Sequence, residues 1–489
     1  MPSMEAFLPG RPVLAATVIG LLLGLLWLRV LLRPRRPGRR KKRYVPLVGS
    51  VLNQAMNFPR IHDYHTDQAR RFKCFRFLHP GRSYVYLVDP ADVEHILSTN
   101  FANYGKGSYH HNILEALLGD GIFAVDGDMW RHQRKLASLE FSARNLRDYS
   151  STTFKRDAGR LAQIISEAAS SDQPVDIQDL LMRSTMDSIF KIGFGMDVDI
   201  LRGTNAEGAR IKRALNVGTE AALRRNIRVI DDFVYKVIDE KIEQMTRERV
   251  DSTKKGDILS RFLEEREKEP EKISRKYLRD IILNFMVAGR DTTATALSWF
   301  FYMMCRHPDV QEKVAEEVDK ATKGRSSGLS MSKFAENLGF VDDLPYLHAA
   351  LNETLRLYPS VPQKDSKMCL SDDTLPSGFD VKAGDLVAYL PYSMGRLKDL
   401  WGDDAEDFRP ERWLDKGGSL QHESPFKFTA FQEFAYRQMK IIVAVLLHFF
   451  KFEITDDGKD VRYRTTITLQ MLGLRLRAIL RSFSPMETA

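Results

Sequence analysis

Residues 281–304 read IILNFMVAGRDTTATALSWFFYMM, an apolar run at helical length broken by one polar cluster. That cluster is Ala288-Gly289-Arg290-Asp291-Thr292-Thr293. Asp and Thr are poor interior helix formers, so an acid beside a hydroxyl in mid-helix needs a reason beyond propensity. Gly289 lets a bulky ligand approach the backbone, and Thr292 can hydrogen-bond to the preceding turn and open the helix locally. Such an opening admits water and makes Asp291 and Thr292 a candidate proton-delivery pair. Alone, the cluster reads more simply as a polar patch on the surface of a long helix.

Other pieces bear on the choice. Glu353-Thr354-Leu355-Arg356 lies in a helical pattern from Pro345 to Leu357, whose apolar face is marked by Leu347, Leu351, Leu355 and Tyr358. Glu353 and Arg356, three apart, share a face and can pair. Taken singly, such a pair is usually a solvated salt bridge worth under about 1 kcal/mol. Downstream, Phe408-Arg409-Pro410-Glu411-Arg412-Trp413 offers a second arginine. Upstream, Trp130-Arg131-His132-Gln133-Arg134 sets an indole N–H and a guanidinium four apart on one helical face. Together those donors suit a carboxylate.

The surrounding chain bounds the answer. Of its 489 residues 43% are hydrophobic, which marks a globular body rather than disorder. The net charge of +8 is local: Arg33, Arg35, Arg36, Arg39, Arg40, Lys41, Lys42 and Arg43 occur with no acid among them. Removing those eight from the 73 Lys and Arg leaves as many bases as the 65 acids. A neutral body argues against nucleic-acid binding. Before the basic run, Pro12 to Leu28 carries no charge and Val30–Leu32 extend the apolar stretch past Arg29. As a helix, residues 12–32 span about 32 Å, one hydrocarbon core. The basic run then puts the rest of the chain in the cytosol. A cleaved signal peptide is the rival, but Leu31, Leu32, Arg33 and Pro34 offer no small-residue cleavage site. Residues 1–11 are thus expected to be lumenal, 12–32 a single-pass anchor, 33–50 a basic, proline-rich connector, and 51–489 the body. Cys74, Cys305 and Cys369, odd in number and far apart, exclude a disulfide framework and a Cys-x-x-Cys zinc site.

The remaining pattern predicts a mainly α body with small β-sheets. Tyr84–Val88 reads as a strand closed by Asp89-Pro90, which cap and open a helix from Ala91 to Ser98. Helical patterns dominate from residue 128 to about residue 360, including Asp176–Leu201 and Ala222–Arg249. Arg247–Lys272 reads as a solvated charged face with a linker, and Lys320–Asn337 as a surface loop. Strand-like pieces return at Asp380–Leu390 and Val461–Leu472. His62/His65 and His110/His111 read as exposed polar pairs, because no third ligand completes a metal site.

In this order and spacing, the four motifs resemble the cytochrome P450 superfamily across essentially the whole chain. Ala288–Ser298, Leu355–Gln363 and Tyr392–Arg396 resemble its plant fatty-acid ω-hydroxylase branch in particular. The resemblance implies the cytochrome P450 fold behind an N-terminal transmembrane helix in the endoplasmic reticulum, with the body cytosolic. It implies haem b as cofactor, a fatty-acid-like substrate and a membrane NADPH-dependent flavoprotein reductase as partner. It gives Asp291 and Thr292 the catalytic proton delivery and Gly289 the approach to the cofactor. Trp130 and Arg134 would hold a haem propionate, and Glu353, Arg356 and Arg412 would form a structural ion-pair triad beneath the haem. The reductase would dock near Arg131, Lys135 and Lys440.

At one place the chain departs from the family. The superfamily's signature is F-x-x-G-x-R-x-C-x-G, whose cysteine thiolate is the proximal iron ligand. Pro425–Gln432 matches the approach to that loop and Glu433–Met439 matches the helix after it, yet Gln432 is followed directly by Glu433. About nine residues of the pattern, the ligand cysteine included, are absent, so no metal ligand is assigned. Residues 202–221 are also short and polar where family members place a helix over the substrate channel. Two functions therefore compete: a haem-dependent monooxygenase hydroxylating fatty acids with O2 and NADPH-derived electrons, and a catalytically inactive membrane-anchored variant.

Overall fold

The structure, a computed structural model, describes residues 50–140, 150–203, 210, 214, 220–248, 257–322, 329–364, 366–429, 433–455 and 461–481. The expected anchor 12–32, and the connector apart from Ser50, lie outside those residues, as does nearly all of 202–221. Among the described residues no helix is long and apolar enough to cross a membrane.

The run quoted above lies within one helix, Arg275–Arg306, of 32 residues and about 48 Å. Ser274 starts it by accepting from the Tyr277 N–H at 3.1 Å, and Pro308 opens the next helix, Pro308–Thr322. Apolar on most sides, it behaves as a core axis rather than a surface helix. The helices Ile177–Phe194, Pro345–Leu357 and Glu433–Phe449 all pack against it. Its C-terminal half joins an apolar cluster with Leu161, Leu181, Leu351 and Val445. Its N-terminal half joins a second cluster with Ile230, Val234, Leu259 and Phe262. The axis is α-helical throughout, so the expected opening at Thr292 is not there. Thr292 Oγ1 does donate back to the Ala288 carbonyl, at 2.6 Å, with the helix intact around it.

The strands are, in chain order, β1 (Cys74–His79), β2 (Arg82–Leu87), β3 (Tyr104–Gly105), β4 (Val175–Asp176), β5 (Lys367–Cys369), β6 (Asp373–Thr374), β7 (Asp380–Val381), β8 (Leu386–Tyr389), β9 (Phe450–Ile454) and β10 (Arg475–Leu480). They form a five-stranded sheet β1-β2-β8-β5-β3, a three-stranded sheet β4-β10-β9 and the pair β6-β7. In the large sheet β2 and β8 are parallel, with Tyr84 opposite Leu386, while the other pairs are antiparallel. The mainly α architecture with small sheets is as expected.

Several local expectations are corrected. Asp89 caps as expected, accepting from the Ala91 N–H at 3.0 Å, but the α-helix ends at Glu94 and continues as one wider turn, His95–Thr99. Within the supposed loop 320–337, Met331–Glu336 is a helix whose Phe334 and Ala335 are buried. Ser330, which suggested a loop, is its N-cap. The charged stretch 247–272 hides a helix, Ile258–Lys268, burying Ile258, Leu259, Phe262 and Leu263. Residues 461–472 make only the bridge Tyr463–Met471, and the strands lie on either side.

Candidate functional site

A cavity of about 330 Å3 opens where the central helix passes the segment after Pro345–Leu357. Val287, Ala288 and Thr292 form one wall, Leu118 and Phe123 another, and Pro359, Val361 and Phe428 the far side. Two side chains of the central helix hold the 118–123 loop in place. Asp280, fully buried, accepts from the Asp120 N–H at 3.0 Å. Asn284 donates to the Leu118 carbonyl at 2.8 Å and accepts from the Phe123 N–H at 3.1 Å. Those contacts need glycine opposite them: a Cβ on Gly119 would lie 2.1 Å from Asp280 Oδ2, and one on Gly121 1.8 Å from Asn284 Nδ2. Sequence reasoning missed this clamp, although Asp280 and Asn284 stand four apart in the same apolar run, opposite Gly119-Asp120-Gly121.

The floor is built on Glu353, 0% exposed. Its Oε1 accepts from Arg356 Nη2 at 2.7 Å, the Arg409 N–H at 2.9 Å and Arg412 Nε at 3.4 Å. Its Oε2 accepts from Arg356 Nε at 2.8 Å and Trp413 Nε1 at 2.9 Å. Arg356 also donates to the carbonyls of Gly395, Ala405 and Asp407. The three expected members of the triad are therefore in one place. Because the pair is fully desolvated, it is not the solvated bridge that its spacing alone suggests.

The other expected site residues separate. Thr292 borders the cavity, and its carbonyl accepts from Ser360 Oγ at 2.7 Å, which pins the opposite wall to the helix. Asp291 does not border the cavity; its carboxylate lies 3.3 Å from Arg290 Nη1, and burial raises its pKa against the opposing pull of that guanidinium. Gly289 lets a neighbouring helix approach, since a Cβ there would meet Ile189 Cδ1 and Cγ1 at 2.8 Å, and it is not among the residues bordering the cavity. Trp130 is half-buried and Arg134 exposed on the helix Gly127–Glu140, and neither borders the cavity.

Arg131 and Lys135 are exposed, but Lys440 is buried at 7% exposure, so it does not belong to a docking face. His62 and His65 are buried, against expectation, because they fall on the inner face of the helix Ile61–Ala69. Asn352, in the sequon Asn352-Glu353-Thr354, is buried and accepts from the Tyr436 hydroxyl at 2.6 Å, which removes it from any glycosylation machinery.

The family resemblance implies haem, and the cavity is a test of it. Its apolar side, with Arg356, Lys364 and Lys427 also on its lining, suits a flat apolar group that carries carboxylates, but no cysteine borders it. Cys74 sits on β1, Cys305 at the end of the central helix and Cys369 on β5. Burial raises the pKa of all three thiols, that of Cys305 to about 12, so none is a ready thiolate. Among the described residues no cluster of His, Cys, Asp or Glu could hold a metal ion. The donor set therefore does not fit a thiolate-bound haem, and the junction where the ligand is expected, after Thr429, lies outside the described residues up to Glu433.

Comparison with known proteins is consistent with the geometry. Residues 40–476 match the family model for Cytochrome P450. Cytochrome P450 704C1 of Pinus taeda is 49% identical over 89% of this chain and 92% of its own length. Cytochrome P450 704B1 of Arabidopsis thaliana is 41% identical over 89% of this chain and 94% of its own length. Cytochrome P450 86B1 of Arabidopsis thaliana is 37% identical over 82% and 78%.

Proposed function

The chain belongs to the cytochrome P450 family of haem-dependent monooxygenases, and from that premise we propose that its substrate is a long-chain fatty acid, oxidised at or near the terminal carbon. The observation that carries this reading is the cavity beneath Thr292, where Leu118, Phe123, Val287, Ala288 and Val361 make an apolar side and Arg356, Lys364 and Lys427 a cationic one. The apolar side takes a hydrocarbon end and excludes water from it. Thr292 is the polar group of the helical wall there. With its own proton on the Ala288 carbonyl, its oxygen is left to accept a hydrogen bond from a bound water or ligand. Asp291, held more basic by burial, would serve as a proton store one residue away rather than as a wall of the site. Glu353, Arg356 and Arg412 would keep the floor rigid. Electrons from NADPH would arrive through a membrane flavoprotein reductase seated on the exposed Arg131 and Lys135, with the body held at the endoplasmic reticulum by residues 12–32.

A second reading, an inactive membrane-anchored variant, is favoured by the lack of a cysteine at the cavity. The carbon-monoxide difference spectrum of membranes containing the chain and added haem separates the two. The monooxygenase reading expects a thiolate-type Soret band from this chain, and the inactive reading expects none. A version with the family's cysteine loop restored between Gln432 and Glu433 should give that band and hydroxylate a fatty acid. A thiolate band from the unaltered chain would overturn the inactive reading. A band without fatty-acid turnover in the restored chain would overturn the substrate.

A further inference from the structure

Three walls of the cavity come from distant parts of the chain. Val287, Ala288 and Thr292 belong to the central helix, Pro359, Ser360 and Val361 to the segment after Pro345–Leu357, and Ile467 and Thr468 to the segment before β10. Ser360, 2% exposed, bonds to both of the other walls. Its hydroxyl donates to the Thr292 carbonyl at 2.7 Å, and its own carbonyl accepts from the Leu469 N–H at 2.9 Å. A carbonyl has two lone pairs, so Thr292 takes this bond on top of its helical one. Trp299, two turns along the central helix, closes the ring. Its indole N–H donates to the Leu469 carbonyl at 2.7 Å, and its rings stack on Tyr358 at 4.0 Å. These bonds matter because residues 461–472 make only the bridge Tyr463–Met471. Side chains locate that segment instead: Gln178 exchanges two hydrogen bonds with the Met471 backbone, while Ser360 and Trp299 grip Leu469. On the Ser360 side, Pro359 and Pro362 stiffen the backbone by fixing φ at two positions.

We infer that Ser360 is a positioning residue that sets the width of the cavity beside Thr292, so that straight saturated chains enter and methyl-branched chains are rejected. The inference rests on the proposed fatty-acid reading and deepens it, because it names the shape of chain the site takes. A branch methyl widens the chain and has to displace Pro359 and Val361 on one side or Ile467 on the other. Overpacking a wall that cannot move is unfavourable, and the penalty falls where the wall can yield. Tied to the Thr292 carbonyl, both walls resist. Without the hydroxyl, the bond between the Ser360 carbonyl and Leu469 remains, and the two walls can shift together away from the helix. The hydroxyl thus acts through the walls that it ties.

The test is competition binding on the full, haem-free chain in lipid nanodiscs, with partition into empty nanodiscs subtracted. A fluorescent straight-chain acid is displaced by palmitic acid or by phytanic acid, which has the same backbone with methyl branches along it. Both competitors carry one carboxylate, so Arg356, Lys364 and Lys427 act alike on the two and the ratio reads chain width. On the unaltered chain palmitic acid should displace the probe at least about tenfold better than phytanic acid, the scale on which a fixed pocket senses a single carbon. Ser360→Ala should bring the two acids within about threefold of each other, chiefly by tightening phytanic acid, and Ser360→Thr, which keeps a hydroxyl, should keep the preference. Trp299→Phe, which releases the Leu469 carbonyl from the helix, should narrow the ratio in the same direction, and it decides the matter if Ser360→Ala does not fold. Equal loss of affinity for both acids in these variants would make Ser360 a structural residue only and overturn the inference. Equal displacement by the two acids on the unaltered chain would also overturn it, while leaving the fatty-acid reading standing. No displacement by either acid would overturn that reading, and the inference with it.

Discussion

Glu353→Ala is the sharpest probe of the floor. The carboxylate is 0% exposed and Arg356 2% exposed. Removing it leaves a buried guanidinium with the carbonyls of Gly395, Ala405 and Asp407 and no counter-charge. It also strands the Trp413 Nε1–H and the Arg409 N–H. Arg412 suffers less, because Asp404 holds it at 3.0 Å. Breaking a buried pair from one side costs about 3–5 kcal/mol, against under about 1 kcal/mol for a solvated one. Urea unfolding followed by tryptophan fluorescence reads the difference, since Trp401 and Trp413 lie 5.5 Å apart beside the cluster. We expect a loss of about 3–5 kcal/mol for Glu353→Ala. Part of it should return in Glu353→Ala/Arg356→Met, where no lone charge remains; the return is incomplete because three carbonyls lose their donor. A single substitution costing under about 1 kcal/mol would refute the buried-pair argument and return the motif to its surface reading.

Gly289→Ala should destabilise the protein by about 1–2 kcal/mol, overpacking against Ile189 outweighing the better helix propensity of alanine. Adding Ile189→Ala should recover it; unchanged stability with lost ligand binding would show that the glycine serves a ligand after all. Asp187 accepts from the Ile200 N–H at 2.7 Å and the Leu201 N–H at 2.9 Å, yet burial outweighs them and raises its pKa to about 6. The native state thus keeps this proton to higher pH than the unfolded chain. Its contribution is full below the unfolded carboxylate pKa of about 4 and is lost as pH rises toward 6. Urea midpoints across that window should show the decline, and Asp187→Asn should flatten it; an unchanged slope would mean that another group titrates.

What the sequence revealed and what it hid follow one physical division. Local pairings were legible: Glu353 and Arg356 are three apart and do pair, and the boundaries Pro345–Leu357 are those of the helix. The depth of that pair was not legible, because Trp413, Arg409 and Arg412 reach it across more than fifty residues. The histidines show the same limit at shorter range. His62, His65 and Ala69 fall on one helical stripe with Ile61, a periodicity that counts histidine as polar and so hides a buried face.

The placement of the central-helix residues has a geometric cause. Successive helical residues point about 100° apart, and Thr292 borders the cavity while Asp291 does not. The useful spacing was four. Asp280, Asn284, Ala288 and Thr292 form a single stripe along the central helix, and its character changes midway. The first two bind the backbone of the 118–123 loop, so that Leu118 and Phe123 are presented to the cavity. At the third position the side chain shrinks to a methyl, and at the fourth a hydroxyl faces the space so created. Gly289, one step round the helix, lets Ile189 close on the back of the same turn. The cavity is thus the consequence of a small residue following two loop-binding ones at the helical repeat.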